Sequence, residues 1–109
     1  MDLGLKGLNA LVTGGSKGIG RACAELFAAE GANVSICARN GDEVQGLVDQ
    51  LAATGVKAHG MPVNVSDKAA LEVWVAEAAA TLGGIDIVVA NVSALAVNDD
   101  EAAWPAGFE

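Results

Sequence analysis

A glycine-rich turn near the N-terminus constrains the fold of this chain more than any other feature. The segment LVTGGSKGIGRA, residues 11–22, begins with β-prone residues, passes through glycines and continues in a helical pattern. A turn of this kind, between a strand and a helix, brings backbone N–H groups and a helix N-terminus to one point, where a phosphate or pyrophosphate binds. Gly14 permits the tight turn, and Gly18 and Gly20 permit close approach of the backbone. The alternative is a glycine turn with only a structural role.

The rest of the chain alternates between short apolar strands and helical segments. The pattern predicts strands at 9–13, 33–38, 56–63 and 85–91. The helices between them begin near Ile19, after an Asn40 N-cap, and after a Ser66 or Asp67 N-cap. Strands joined by helices imply a parallel sheet with right-handed crossovers, and strands that are apolar on both sides imply a sheet covered on both faces. We therefore expect one doubly wound α/β domain over residues 1–109, with about four strands in the order 3-2-1-4.

The apolar residues of each predicted helix recur at helical spacing, which indicates one apolar face on each helix and places Trp74 in the core. The three predicted faces consist of Ile19, Ala22, Cys23, Leu26 and Phe27 on the first helix, Val44, Leu47, Val48, Leu51 and Ala52 on the second, and Leu71, Trp74, Val75, Ala78, Ala79 and Leu82 on the third.

Composition and charge exclude several classes of function. The formal net charge of −8 argues against nucleic acid and anionic membranes as partners, because both require a basic surface. No apolar run is long enough to span a membrane, and the N-terminus lacks a signal-peptide pattern, so we expect a cytoplasmic protein. Cys23 and Cys37 are not spaced as metal ligands, and we expect both to be buried, reduced thiols.

The glycine loop carries the spacing Thr13-Gly14-x-x-x-Gly18-x-Gly20. This spacing resembles the short-chain dehydrogenase/reductase family, and the resemblance extends over essentially the whole chain. It implies a Rossmann-type fold that binds a nicotinamide dinucleotide. The loop does not end in the Lys-Ser or Lys-Thr pair of a nucleotide triphosphatase loop, which disfavours that class of enzyme.

Two later segments match the family in part. Asn64-Val65 stands where the family usually has Asp-Val beside the adenine, and ANVS at 90–93 stands where it commonly has Asn-Asn-Ala-Gly. Asn91 matches the second Asn, whereas Ala90 and Ser93 depart from the pattern. The resemblance implies a set of cofactor contacts, namely Gly14, Ser16, Lys17, Gly18, Ile19, Gly20, Arg39, Asn64, Val65, Asn91 and Ser93.

The end of the second strand favours NADP over NAD. An acidic residue about 20 residues after the glycine loop would bind the ribose 2′-OH of NAD and repel a 2′-phosphate. This chain has Ala38 and Arg39 there. An arginine pairs well with a phosphate, and Lys17 in the glycine loop reaches the same region. The alternative is that both cations are solvated surface charges.

The chain contains no tyrosine. The resemblance implies a catalytic Ser, Tyr and Lys beyond the fourth strand, and this chain offers no match for them. We assign no catalytic and no metal-binding residue: the lone His59 is interpreted as structural, and the acidic run Asp99, Asp100 and Glu101 as a helix start. Chemistry on a carbonyl or alcohol substrate is therefore expected only of the intact enzyme.

Three interpretations stay open at this point. The chain is the cofactor-binding half of an NADP(H)-dependent oxidoreductase, or a stand-alone dinucleotide-binding or oligomerisation module, or a chain shortened by cloning or proteolysis. Because the fourth strand lies at the edge of the expected sheet and is apolar, we also predict pairing through it, either with a second copy or with a fragment that holds the remainder.

Overall fold

The computed structural model describes residues 4–14 and 17–91 of the 109-residue chain. Within these ranges four strands alternate with three helices, in the order β1 (Asn9–Thr13), α1 (Gly18–Ala29), β2 (Asn33–Ala38), α2 (Gly41–Ala52), β3 (Ala58–Pro62), α3 (Lys68–Leu82) and β4 (Ile87–Ala90). The strands form one parallel sheet in the order β3-β2-β1-β4. The predicted α/β class and strand order are confirmed.

The first two strands begin and end where the sequence predicts, but the last two are shorter. β3 covers Ala58–Pro62 instead of 56–63, and β4 covers Ile87–Ala90 instead of 85–91. Pro62, the last residue of β3, is in register with Ala38, and one further hydrogen bond follows, from Val63 N to Ala38 O at 2.8 Å. Ile85 precedes the paired part of β4 and stays 38% exposed. Apolar composition therefore continues beyond the residues that form the hydrogen-bonded sheet.

The helices cover both faces of the sheet. α1 and α2 pack on one face, where Val12, Val34 and Ile36 meet Val44, Leu47 and Leu51. α3 packs on the other face, where Trp74, Ala78 and Leu82 meet Leu11, Cys37 and Val63. The central strands β1 and β2 are buried on both sides, as expected of parallel strands in a three-layer α/β fold. No helix in the described ranges is both long enough and apolar enough to cross a membrane.

The predicted apolar face of α1 is only partly the packed one, since Phe27 packs on the core but the most buried residues lie elsewhere. The helix buries the small residues Gly20, Ala24 and Ala28, whereas Ile19 is 73% exposed and Leu26 51% exposed. Small side chains let the helix backbone approach β1 and β2 closely, and bulky residues are then placed on the outer side. Cys23, which we expected to be buried, is accordingly only half-buried. Helical spacing therefore identified Phe27 as a packed residue but not the small residues that approach the sheet most closely.

The predicted faces of α2 and α3 are largely correct. α2 buries Val44, Leu47 and Leu51, while Ala52 at its end is exposed. α3 buries the Trp74 side of its predicted face, but Val75 remains 38% exposed. In both helices the largest apolar residues lie on the packed face, which is why helical spacing predicted that face correctly.

Side-chain caps define the starts of two helices. Asn40 Oδ1 accepts a hydrogen bond from Glu43 N at 3.0 Å, as predicted for the start of α2. At α3 the cap is Asp67, whose Oδ1 accepts from Ala70 N at 3.1 Å, so Ser66 is not the N-cap. The caps satisfy backbone N–H groups that have no partner inside the helix.

Candidate functional site

The carboxyl ends of the four parallel strands lie along one edge of the sheet. Thr13 at the end of β1 is in register with Cys37 of β2 and with Ala90 of β4. Gly14, which follows β1, donates its N–H to Cys37 O at 2.8 Å. The segments that follow β1, β2 and β4 therefore begin side by side, and ligands of open α/β sheets bind at this edge.

The N-terminus of α1 differs from those of α2 and α3. Its N-cap residue is Lys17, which has an extended backbone and makes no side-chain cap hydrogen bond. The other two helices are capped by an Asn and an Asp, and α2 also carries Asp42 and Glu43 in its first turn. The first turn of α1 carries no acidic residue. Its N-terminal positive partial charge is thus not compensated by a cap or an acid of its own, which favours an anionic group.

The three glycines of the loop have different surroundings. A Cβ on Gly14 would lie 2.8 Å from Asn91 O, and Gly14 has a φ of +65°. A Cβ on Gly20 would collide with Gly14 O and lie 2.9 Å from Asn91 Nδ2. Gly18 has a φ of +58° but nothing within 4 Å of the position of a Cβ. Gly14 and Gly20 therefore pack against protein, whereas Gly18 faces open space beside the helix N-terminus.

Thr13 and Asn91 join the ends of β1 and β4. Asn91 N donates to Thr13 Oγ1 at 2.8 Å, and the Thr13 hydroxyl lies 3.3 Å from Asn91 O as a donor. These contacts place Asn91 against the glycine loop. The sequence identified Asn91, but it did not indicate that Thr13 would position it. A hydroxyl residue at the end of a strand just before a glycine loop was the available signal.

Lys17 and Arg39 are both exposed on this edge. The Lys17 side chain is 78% exposed, and its Nζ lies 3.5 Å from Glu43 Oε2. Arg39 immediately precedes the N-cap Asn40 of α2 and makes no hydrogen bond or ion pair with any described residue. Since Glu43 lies in the first turn of α2, the Lys17 contact brings the glycine loop to the turn that follows Arg39. The sequence did not single out Glu43 as part of this edge.

The segment after β3 is organised by its own hydrogen bonds. Asn64 Oδ1 accepts from Ser66 N at 3.1 Å and from Ser66 Oγ at 2.7 Å, which forms a local turn. Asn64 is exposed, whereas Val65 is half-buried and packs on the core beneath α3. Asn64 could therefore contact a ligand mainly through its amide nitrogen and backbone, while Val65 also has a packing role.

Ile19 is the remaining predicted cofactor contact within the described residues. Ile19 projects from the first turn of α1 and is 73% exposed, so it is accessible at the same helix end as Gly18. Ser16 and Ser93 lie outside the described residues, and so does the acidic run at 99–101. The structure thus brings together Gly14, Gly18, Arg39 and Asn91 at one edge.

The fit between this edge and a dinucleotide rests on an open glycine with a positive φ beside an uncapped helix N-terminus. An arrangement of this kind suits a pyrophosphate, which backbone N–H groups can bind. The family model for the short chain dehydrogenase matches residues 8–107. The chain belongs to the short-chain dehydrogenase family. Members of this family bind nicotinamide dinucleotides.

Curated members of the family match nearly the whole chain. It is 45% identical over 92 residues to a short chain dehydrogenase of Pseudocercospora fijiensis, which covers 84% of this chain and 29% of that protein. It is 37% identical over 111 residues to the isoepoxydon dehydrogenase of Penicillium expansum, covering 99% of this chain and 43% of that protein. This short-chain dehydrogenase chain therefore spans less than half the length of these relatives.

Solved structures of the family share the fold. The L-sorbose reductase of Gluconobacter frateurii, solved with NADPH and L-sorbose, superposes with a TM-score of 0.79 at 36% identity, covering 85% of this chain and 36% of that one. A dehydrogenase/reductase of Sinorhizobium meliloti superposes with a TM-score of 0.76, also at 36% identity, covering 81% of this chain and 35% of that one.

Proposed function

We propose that this chain binds NADP(H) and forms the cofactor-binding part of a short-chain dehydrogenase/reductase. The observation that carries the proposal is the position of Lys17 at the N-cap of α1 and of Arg39 directly before the N-cap of α2. Two cations at neighbouring helix starts, with no acidic residue at the end of β2, suit a 2′-phosphate. The solved L-sorbose reductase complex with NADPH supports this choice, since that protein is 36% identical to the chain.

The proposed contacts divide the cofactor among three groups of residues. The glycine loop, with Gly14, Ser16, Gly18, Ile19 and Gly20, holds the pyrophosphate at the N-terminus of α1. Lys17 and Arg39 bind the 2′-phosphate. Asn64 and Val65 lie beside the adenine, and Asn91 and Ser93 lie beside the nicotinamide ribose.

The intact enzyme is proposed to be an oxidoreductase that acts on a carbonyl or a secondary alcohol. A bound nicotinamide supplies the hydride chemistry, and the residues of this chain bind and orient it. The chain contains no tyrosine, so we propose that it does not reduce a carbonyl substrate by itself. A chain that binds NADPH but consumes none in the presence of ketone or aldehyde substrates would agree with this. Steady consumption of NADPH would contradict it.

A direct titration tests the choice of cofactor. NADPH and NADH are added to the purified chain in parallel, and binding is followed by cofactor fluorescence. We expect tighter binding of NADPH. Arg39→Ala should weaken NADPH binding about ten- to a hundredfold, because a hydrogen bond to a charged group contributes roughly 1.5–3 kcal/mol, and should leave NADH binding nearly unchanged.

Lys57→Ala is the matched control for that variant. Lys57 is exposed and directly precedes β3, so it lies at the amino edge of the sheet, opposite the proposed site. Removing its charge should not change the ratio of the two affinities. Equal effects of Arg39→Ala and Lys57→Ala would show that only net charge matters and would overturn the assignment of Arg39.

Pairing through β4 stays a prediction. Among the described residues β4 pairs only with β1, and Val88 is 60% exposed. An apolar edge strand with unpaired backbone groups favours pairing with another chain. Sedimentation at rising protein concentration should detect self-association, which Val88→Lys should reduce. A monodisperse monomer at high concentration would argue against it.

A further inference from the structure

An ion pair connects the proposed phosphate-binding loop to α2. Lys17 Nζ lies 3.5 Å from Glu43 Oε2, and the Glu43 side chain is 38% exposed. The pair borders a groove of about 300 Å³ between α1 and α2, lined by Lys17, Arg21, Glu43, Gly46, Leu47 and Gln50. Glu43 is the acidic side chain of this lining. A negative charge therefore already lies next to Lys17, the cation that we propose binds the 2′-phosphate.

The position of Glu43 is fixed by the start of α2. Its backbone N–H donates to Asn40 Oδ1 at 3.0 Å, and Asn40 directly follows Arg39. A Glu at this position of the first turn also suits the positive end of the helix. The carboxylate is thus attached to the same capped turn that follows Arg39, and it does not depend on a flexible loop for its approach to Lys17.

Resting on the proposed function, we infer that Glu43 is a specificity-determining residue that weakens binding of the 2′-phosphate by competing for Lys17. A phosphate that approaches Lys17 must displace the carboxylate or share the ammonium group with it. Displacement loses the attraction between Lys17 and Glu43, and sharing places two negative charges close together, so both outcomes are unfavourable. NADH has no 2′-phosphate, so the same carboxylate has little effect on its binding. Glu43 therefore reduces the preference for NADPH that Lys17 and Arg39 provide.

Neighbouring charges do not share this role. Glu25 Oε2 accepts from Arg21 Nε at 3.2 Å, and Arg21 Nη2 donates to Gln50 Oε1 at 3.0 Å. These contacts occupy Arg21 one turn further along α1. Glu25 thus pairs with a cation that is not assigned to the phosphate, which makes it a control for the removal of one negative charge.

The test is Glu43→Gln, compared with Glu25→Gln, in NADPH and NADH titrations of the chain at low ionic strength. Gln is accepted at this position of a helix start, so α2 should be retained, and circular dichroism checks this. We expect Glu43→Gln to raise NADPH affinity about two- to fivefold, the scale of one exposed ion pair, and to leave NADH affinity unchanged. Glu25→Gln should leave the affinity ratio unchanged.

The same substitution, made in a chain that lacks the Lys17 ammonium group, shows whether Glu43 acts through Lys17. In a Lys17→Met chain, Glu43→Gln should raise NADPH affinity clearly less than it does when Lys17 is present. An equal gain with and without Lys17 would overturn the inference, as would unchanged NADPH affinity in Glu43→Gln when the unsubstituted chain still prefers NADPH. If neither the unsubstituted chain nor Glu43→Gln binds NADPH more tightly than NADH, the proposed function itself fails, and the inference fails with it.

Discussion

The indole nitrogen of Trp74 donates a hydrogen bond to Ser35 Oγ at 2.8 Å, and both side chains are buried. Ser35 Oγ also lies 2.8 Å from His59 Nδ1, and His59 Nε2 lies 2.9 Å from Glu77 Oε1. The indole can only donate and an ionised Glu77 can only accept. The arrangement that satisfies every group has the Ser35 hydroxyl donating to His59 Nδ1 and His59 Nε2–H donating to Glu77. His59 thus links β2, β3 and α3, which agrees with its interpretation as a structural residue.

Removing the Ser35 hydroxyl should destabilise the fold. Ser35→Ala leaves the buried indole N–H of Trp74 without its acceptor, and an unsatisfied buried group costs about 1–3 kcal/mol. Trp74→Phe removes the donor together with its need for a partner, and it also leaves a small cavity. In urea unfolding, the double variant should lose less free energy of unfolding than the sum of the two single variants. Additive losses would contradict direct coupling of the two residues.

A second network joins all four strands at the amino edge of the sheet. Asp86 Oδ2 accepts from Asn9 N at 2.8 Å, Asn33 Nδ2 donates to Asn9 Oδ1 at 2.9 Å, and Asn33 Oδ1 accepts from Lys57 N at 2.9 Å. Asn33→Ala removes two of these bonds and should lower the free energy of unfolding by about 1–2 kcal/mol.

Asn33→Asp is the comparison for that loss. It keeps the acceptor for Lys57 N but sets a carboxylate oxygen against Asn9 Oδ1, so urea unfolding should show a loss that comes from the Asn9 side alone. Equal stability of Asn33→Ala and the unsubstituted chain would mean that water replaces these bonds at no cost.

The sequence predicted the elements better than the contacts between them. β1 and β2 were placed correctly because they are apolar on both faces, and the α2 cap because Asn40 and Glu43 are close in sequence. The most buried face of α1 was missed because its residues are Gly and Ala. These residues are too small to stand out in a pattern of apolar side chains at helical spacing. The Thr13–Asn91 contact was missed because 78 residues separate its partners. Local chemistry can be predicted from a short segment, whereas such a contact needs the register of the sheet.

The packing of Gly20 gives a sharp test of the glycine loop. Gly20→Ala would push a methyl group into Gly14 O and Asn91 Nδ2. Because the obstacle includes backbone, the loop must shift, and we expect a loss of about 1–3 kcal/mol in free energy of unfolding together with weaker dinucleotide binding. Gly46→Ala is the control, since nothing lies within 4 Å of its added Cβ and Gly46 is inside α2. It should stabilise the chain by about 0.5–1 kcal/mol. Equal effects of the two variants would show that Gly20 has no special packing role.

The two cysteines should differ in reactivity. Burial raises the pKa of the Cys37 thiol to about 11, and a backbone hydrogen bond from Gly14 offsets part of that rise. Cys23 is only half-buried, so an alkylating reagent should modify Cys23 in the folded chain and reach Cys37 only after denaturation, as mass spectrometry would show. Because the folded pKa lies above the ordinary value of 9.0, the thiol contributes its full stability below that pH and loses it as the pH rises through about 11. Cys37→Ala should remove that part of the alkaline loss, and equal alkylation of both cysteines in the folded chain would contradict the burial of Cys37.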